Sequence, residues 1–248
     1  MTRKPTQGAP RVIILKTGTT YPPIREQFGD FDAWFIRGLP DTLDLSVVDV
    51  TTQPLPGHPA DWQGVVITGS PAMVSERPDW SENTAAWVRQ AVESGVPVLG
   101  VCYGHQLLAH ALGGEVGYHP EGRETGTHEV TLSDNASSDP LFSQLPRRFD
   151  AQLTHKQSVL RLPPEAILLG RSDFEPHQAF RVGPNAWGVQ FHPEFTAPIM
   201  SAYLDVQQPE LAQEGFDVSA LKARVQSAPE ASSVLTLFSG QVHSHWLG

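Results

Sequence analysis

The chain has 248 residues, 40% of them apolar and 18% charged, which is ample for one sizeable α/β core and unlike disordered or repeat sequence. Its formal charge of −10 argues against nucleic acid and anionic membranes as partners, since both demand clustered Lys and Arg. A single cysteine excludes an intrachain disulfide and fits a reducing, cytoplasmic setting, and no apolar run nears the roughly 18 residues of a membrane span.

The start, 1–10, is polar with two prolines and is expected to be a disordered lead-in, not a signal peptide. From residue 11, apolar β-branched runs alternate with helical patterns. That alternation predicts an α/β fold with a mainly parallel central sheet and helices on both faces. Val12–Leu15 is the first strand. After a turn-rich stretch over 17–23, Phe28, Phe31, Phe35 and Leu39 share one helical face. Leu45–Val50 and Gly64–Thr68 are the next strands, the second broken off by Gly69-Ser70-Pro71. A helix over 81–94, with Ser81 as its expected N-cap, precedes the short strand Pro97–Val101, which Cys102 closes. Gln106–Leu112 is helical and stops at Gly113-Gly114. Between 115 and 181 the pattern is strand-rich, with strands expected at 128–132, 166–170 and 178–182. Trp187–Phe191 is the last strand and Thr196–Val206 a helix after it. Beyond 207 the pattern weakens to one polar helix and a helical segment at 233–247. The expected organisation is one domain over 11–206, with 207–248 as its C-terminal helical extension.

The most informative stretch is Gly100-Val101-Cys102-Tyr103-Gly104. A nucleophile at a sharp strand-to-helix turn needs unusual dihedrals, and small residues two before and two after it let strand and helix approach closely. The N-terminus of the following helix then points at the sulfur and favours thiolate. A buried structural cysteine is the alternative. Gln190-Phe191-His192-Pro193-Glu194 supplies what a thiolate needs. His192 at a strand end is a base, and Glu194, two residues on, folds back to orient the imidazole.

Together, Gly-Val-Cys-Tyr-Gly-His-Gln at 100–106 and Gln-Phe-His-Pro-Glu-Phe at 190–195 resemble the class I glutamine amidotransferases, over about Val12 to Leu204. Thr-Gly-Ser-Pro at 68–71, Pro-Val-Leu-Gly-Val-Cys at 97–102 and Gly-x-Glu-x-Gly at 122–126 resemble stand-alone versions of the amidotransferase domain of GMP synthase. The resemblance implies a triad of Cys102, His192 and Glu194 that opens the glutamine side-chain amide through a γ-glutamyl thioester and releases ammonia. It implies an oxyanion hole from the backbone N–H groups of Ser70 and Tyr103, with Gly69 beside it. It also implies substrate contacts at Gln106, Glu124 and His155. Two departures stand out. The usual Gly-Gly-Pro reads Gly69-Ser70-Pro71, and the usual Asp of Ser/Thr-His-x-Asp-x-Val is Gln157.

Other signals carry less. His243 and His245 lack a Cys or acidic partner, so no metal is expected, and no Gly-rich phosphate loop points to a nucleotide, so no organic cofactor is either. The segment 238–244 only faintly echoes the Ser-Gly-Gly-Val-Asp-Ser of an ATP-pyrophosphatase domain. The expected partner is a small-molecule substrate, glutamine or a γ-glutamyl compound, with a separate synthase subunit as a further implied partner for the ammonia. Competing readings are a stand-alone γ-glutamyl peptidase, a Cys–His hydrolase or chaperone of flavodoxin-like architecture, and a non-catalytic or partner-gated regulatory protein of the same fold.

Overall fold

The computed structural model describes residues 8–248, so most of the expected lead-in, residues 1–7, lies outside the described residues. Strand β1 (Arg11–Lys16) carries four consecutive buried residues, Val12–Leu15. A strand apolar on both faces must be covered on both, as in a parallel sheet between helix layers. That is where β1 lies. β2 (Asp44–Asp49) and β3 (Gly64–Ile67) flank it in parallel, β4 (Val98–Val101) follows β3, and β11 (Ala186–Val189) follows β4. Beyond β11 the sheet continues antiparallel through β10 (Ala179–Val182), β9 (Ile167–Arg171), β6 (Glu124–Leu132) and β7 (Arg148–His155). The parallel half is the one the sequence pattern predicts, and every short apolar strand foreseen there is present.

Alternation along the parallel strands divides the core. Val12 and Ile14 face one layer with Phe35 of α2 (Phe31–Gly38) and with Val234, Leu235, Phe238 and Val242 of α8 (Pro229–Leu247). Ile13 and Leu15 face the other layer, with Trp87, Val88 and Ala91 of α3 (Asp79–Glu93) and Leu107 and Leu108 of α4 (Tyr103–Ala111). The 207–248 segment therefore supplies part of the cover on one sheet face. A third cluster joins Ile24 of α1 (Pro22–Phe28), Phe31 and Trp34 to Phe195 and to Ile199, Met200 and Tyr203 of α5 (Ala197–Val206). Two short helices, α6 (Gln208–Gln213) and α7 (Val218–Ala223), follow α5.

Several local expectations change. The helical face over 28–39 is split: Gly29 at φ 86 ends α1, and Asp30 caps α2 by accepting from the Phe31 N–H at 2.8 Å. Ser81 is not an N-cap. The helix starts after Pro78, and Ser81 lies buried inside it, its hydroxyl 2.6 Å from that of Tyr103. Helix α4 begins at Tyr103, three residues earlier than its apolar pattern suggests. Three strands were not foreseen: β7, and the two-stranded antiparallel pair β5 (Glu115–Tyr118) and β8 (Gln157–Arg161).

Candidate active site

β4 and β11 pair in parallel register, Gly100 opposite Gly188 and Val101 opposite Val189, so their continuations leave the sheet from the same edge. Cys102 is the first residue past β4, and its N–H donates to Val189 O at 2.9 Å. Its φ of 52° and ψ of −102° put it in the positive-φ region, unusual for a residue with a Cβ. Such strain persists where the surroundings over-determine it, and here they do. A Cβ on Gly100 would overlap the Gly104 carbonyl, and one on Gly104 would overlap the carbonyl of Ile67 in β3. The two glycines thus let α4 start directly against the sheet. Cys102 is the residue that precedes the helix, whose first N–H groups have no intrahelical acceptor. The Cys102 thiol faces the Thr154 carbonyl at 3.8 Å.

His192 lies three residues past β11, its own N–H donating to Gln152 O at 2.9 Å. Its Nδ1–H donates to Glu194 Oε1 at 2.5 Å, and both side chains are buried. Burial alone would lower the imidazole's pKa. The charges of Glu194 and then Cys102 overcome this and raise it to about 10, so the ring is an imidazolium at neutral pH. Nε2 makes no hydrogen bond among the described residues, so Cys102 acts on it as a neighbouring charge, a common arrangement before substrate binds. Aromatic rings fix the imidazole plane. Phe195 stacks on it with centroids 4.0 Å apart and planes 20° apart, and Phe31 lies over it at 6.4 Å and 15°. Gly69 leaves room at its edge, since a Cβ there would sit 3.0 Å from His192 Cε1.

These groups face a cavity of about 500 Å³, lined also by Ser70, Tyr103 and Gln106. The Gln106 amide donates from Nε2 to Gln157 O at 2.7 Å and to Gln190 Oε1 at 3.1 Å. Its carbonyl oxygen is left as an acceptor. His155 lines the cavity too, but both its ring nitrogens are committed, Nδ1 to Gln157 O and Nε2 to Glu124 Oε2, each at 2.8 Å. A carbonyl and a carboxylate are both acceptors, so the ring carries two protons. Burial opposes that charge, but Glu124 raises the His155 pKa, and Glu124 is itself held low by His155 and Ser172 against the effect of its own burial. Glu124 does not reach the cavity. Its carboxylate also accepts from Ser172 Oγ at 2.6 Å and Gln178 Nε2 at 2.9 Å, which makes it the support behind His155. Gln157, in place of the familiar Asp, turns its amide toward Ser75: Ser75 N–H donates to its Oε1 at 3.2 Å and its Nε2 donates to Ser75 Oγ at 2.5 Å.

Sequence reasoning missed part of the lining. Arg123, almost wholly buried, donates to Glu214 through Nε and Nη2, both at 2.8 Å, and its Nη2 also meets Glu210 at 2.8 Å. Lys156 pairs with Glu210 as well. Glu210 belongs to α6, in the weakly patterned 207–248 stretch, and carried no motif. Phe195 was visible as the last residue of its motif but had no role assigned. Phe31 was legible only as a core position.

A model of the family described as glutamine amidotransferase class-I matches residues 37–204. Over 187 residues the chain is 35% identical to the glutamine-hydrolysing GMP synthase of Aeropyrum pernix, covering 73% of this chain and 35% of that protein. It is 42% identical over 132 residues to that of Thermomicrobium roseum, covering 53% and 23%. The chain thus spans about a third or less of the length of these relatives. Among solved structures, a glutamine amido transferase from Methylobacillus flagellatus is 25% identical, superposes with a TM-score of 0.71 and covers 97% of this chain and 95% of its own. A glutamine amidotransferase from Thermotoga maritima, 21% identical, shares the fold with a TM-score of 0.71 over 95% of this chain and 97% of its own.

Proposed function

The chain belongs to the class I glutamine amidotransferases, and from that premise we propose that it hydrolyses the γ-amide of glutamine or a γ-glutamyl compound through a thioester on Cys102. The observation that carries this reading is the positive-φ Cys102 at the end of β4, facing one cavity with a His192 that is held as imidazolium by Glu194. Cys102 Sγ attacks the amide carbon, and the oxyanion is received by the N–H groups of Tyr103, at the start of α4, and of Ser70. As the C–N bond breaks, His192 Nε2–H gives its proton to the departing nitrogen. The neutral ring then takes a proton from water, which attacks the thioester and frees glutamate. The amide oxygen of Gln106 receives the substrate's α-ammonium, and the charge of His155 favours the substrate's carboxylate.

Two relatives are glutamine-hydrolysing GMP synthases. A separate synthase subunit that takes up the ammonia is the partner this likeness suggests for the glutamine-directed form of the reaction. Release of glutamate and ammonia from L-glutamine, measured beside release of glutamate and amine from γ-glutamyl amides, tests the proposal with Cys102→Ala as control. Turnover that the control lacks supports it, and turnover unchanged in the control refutes it.

A further inference from the structure

Buried polar residues around Gln106 are linked head to tail. Gln106 donates from Nε2 to Gln157 O at 2.7 Å, and the same carbonyl accepts from His155 Nδ1–H at 2.8 Å. His155 Nε2–H donates to Glu124 Oε2 at 2.8 Å, and that oxygen also accepts from Gln178 Nε2 at 2.9 Å. The Gln178 carbonyl accepts from the Gln190 N–H at 2.8 Å, and Gln190 Oε1 accepts from Gln106 Nε2 at 3.1 Å. The links close a circuit that starts and ends at the Gln106 amide nitrogen. Ser172 Oγ braces it, 2.6 Å from Glu124 Oε1 and 3.1 Å from Gln178 Nε2.

Only part of the circuit meets the cavity. Gln106, His155 and Gln157 line it, whereas Glu124, Gln178 and Gln190 do not, so these three do not touch a substrate bound there. They lie in the core, Glu124 exposed by 3% and the two glutamines not at all. Polar side chains are costly to bury, and apolar ones would fill the same space more simply.

The circuit decides the orientation of one amide. A glutamine side chain keeps nearly the same shape with its oxygen and nitrogen exchanged. That exchange at Gln106 would press its oxygen against the Gln157 carbonyl and Gln190 Oε1, acceptor against acceptor. The nitrogen is therefore held by the circuit, and the oxygen is left for the cavity. His155 needs two protons to serve Gln157 and Glu124 together, and the Glu124 carboxylate keeps the second in place. With one proton fewer, a ring nitrogen without hydrogen would face the Gln157 carbonyl or residue 124, and the circuit would open there.

Resting on the thioester reading above, we propose that Glu124, Gln178 and Gln190 are positioning residues: they hold the Gln106 amide oxygen toward the cavity and so make the site select substrates that carry an α-ammonium. No bond of the reaction forms or breaks on them.

Glutaramate is L-glutamine without the α-amino group, so both offer Cys102 the same amide and both carry the carboxylate. The ratio of kcat/KM for L-glutamine to that for glutaramate therefore isolates recognition of the ammonium. γ-L-Glutamyl-p-nitroanilide and glutaryl-p-nitroanilide, related in the same way, give the ratio for a substituted amide. A hydrogen bond to a charged group sets the expected ratio in the unaltered protein at about 10 to 10². Gln190→Met and Glu124→Gln should each lower the ratio about fivefold or more, with the loss on glutamine greater in KM than in kcat. Gln190→Glu, which keeps an oxygen for Gln106, should recover most of it. Added to Gln106→Ala, Glu124→Gln should lower the ratio no further. Thermal melting and alkylation of Cys102 by iodoacetamide establish that each variant is folded. Where one is not, Ser172→Ala, which removes a single bond from Glu124, carries the test with a fall of about twofold or more. Equal losses on both members of a pair, or an unchanged ratio, overturn the proposal. A ratio near one in the unaltered protein also overturns it but leaves the thioester reading standing. Failure of the unaltered protein to open any of the four amides counts against both.

Discussion

Glu194→Gln removes one charge from a buried pair and keeps its shape. In the unaltered protein the Nδ1–H of His192 donates to Glu194 Oε1 at 2.5 Å, and the ring's pKa is raised from 6.5 to about 10 against the effect of burial. At roughly 1.4 kcal/mol per pH unit this is on the order of 5 kcal/mol in favour of the charged ring, shared between Glu194 and Cys102. If half is Glu194's, its loss lowers the charged-to-neutral ratio of the ring by a factor of about 10², which leaves the ring mostly charged at pH 7 and moves the alkaline limb of the pH–rate profile down. An amide can also present its NH₂ to the ring and select the wrong tautomer, which carries the expected loss of kcat/KM to about 10²–10⁴. The same variant should change how stability depends on pH. Because the folded-state value is raised, the pair's stabilisation is full below pH 6.5 and is lost as pH rises toward 10. The midpoint of urea unfolding for the unaltered protein should therefore fall over that window, and the variant's should fall much less. The assays are amide-release kinetics and urea unfolding from pH 6 to 10. A variant within threefold of full activity, with an unaltered slope of stability against pH, would refute the reasoning.

Three further outcomes follow from other parts of the structure. Gly104→Ala forces a Cβ onto the Ile67 carbonyl, a backbone atom that cannot step aside. It should cost about 1–3 kcal/mol or more of stability and nearly all activity, read by thermal melting and by alkylation of Cys102. Phe195→Leu removes the ring stacked on His192 at 4.0 Å. A cation–π contribution of about 0.5–2 kcal/mol implies a loss of roughly 2- to 30-fold in kcat and an alkaline limb of the pH–rate profile displaced downward, with recovery in Phe195→Tyr. A profile that superimposes on the parent's would contradict this. Leu235→Ala, at a buried position of α8 in the same cluster as Val12 and Phe35, should cost about 2–5 kcal/mol in chemical unfolding. A loss under 0.5 kcal/mol would make the 207–248 segment a mere appendage.

Legibility in the sequence followed the range of the forces involved. The parallel strands were readable because burial on both faces demands unbroken apolar runs such as Val12–Leu15 and Gly64–Ile67. Cys102, His192 and Glu194 were readable because a tight turn after a strand confines its chemistry to a few adjacent residues. β7 was hidden because its buried residues are interleaved with polar ones: Gln152 is buried yet satisfied by Thr127 and Gln226. Burial of polar side chains depends on partners far away in sequence. The same holds for Glu124, which supports His155 from 31 residues away, and for Arg123, whose partners are Glu210 of α6 and Glu214 just past its end. The extent of α4 was underestimated because its first turn, Tyr103-Gly104-His105, lacks an apolar pattern. Those residues are nevertheless buried, because the glycine lets the helix press against β3.

The central claim is a covalent γ-glutamyl intermediate on Cys102. Intact-protein and peptide mass spectrometry after rapid acid quench of the protein turning over L-glutamine or a γ-L-glutamyl amide tests it most directly. The account predicts a single γ-glutamyl adduct on the peptide that holds Cys102, absent in Cys102→Ala and persisting longer in His192→Asn once acylation has been driven by an activated γ-glutamyl ester. Turnover with no adduct on Cys102 at any quench time, together with undiminished turnover by Cys102→Ala, would contradict it.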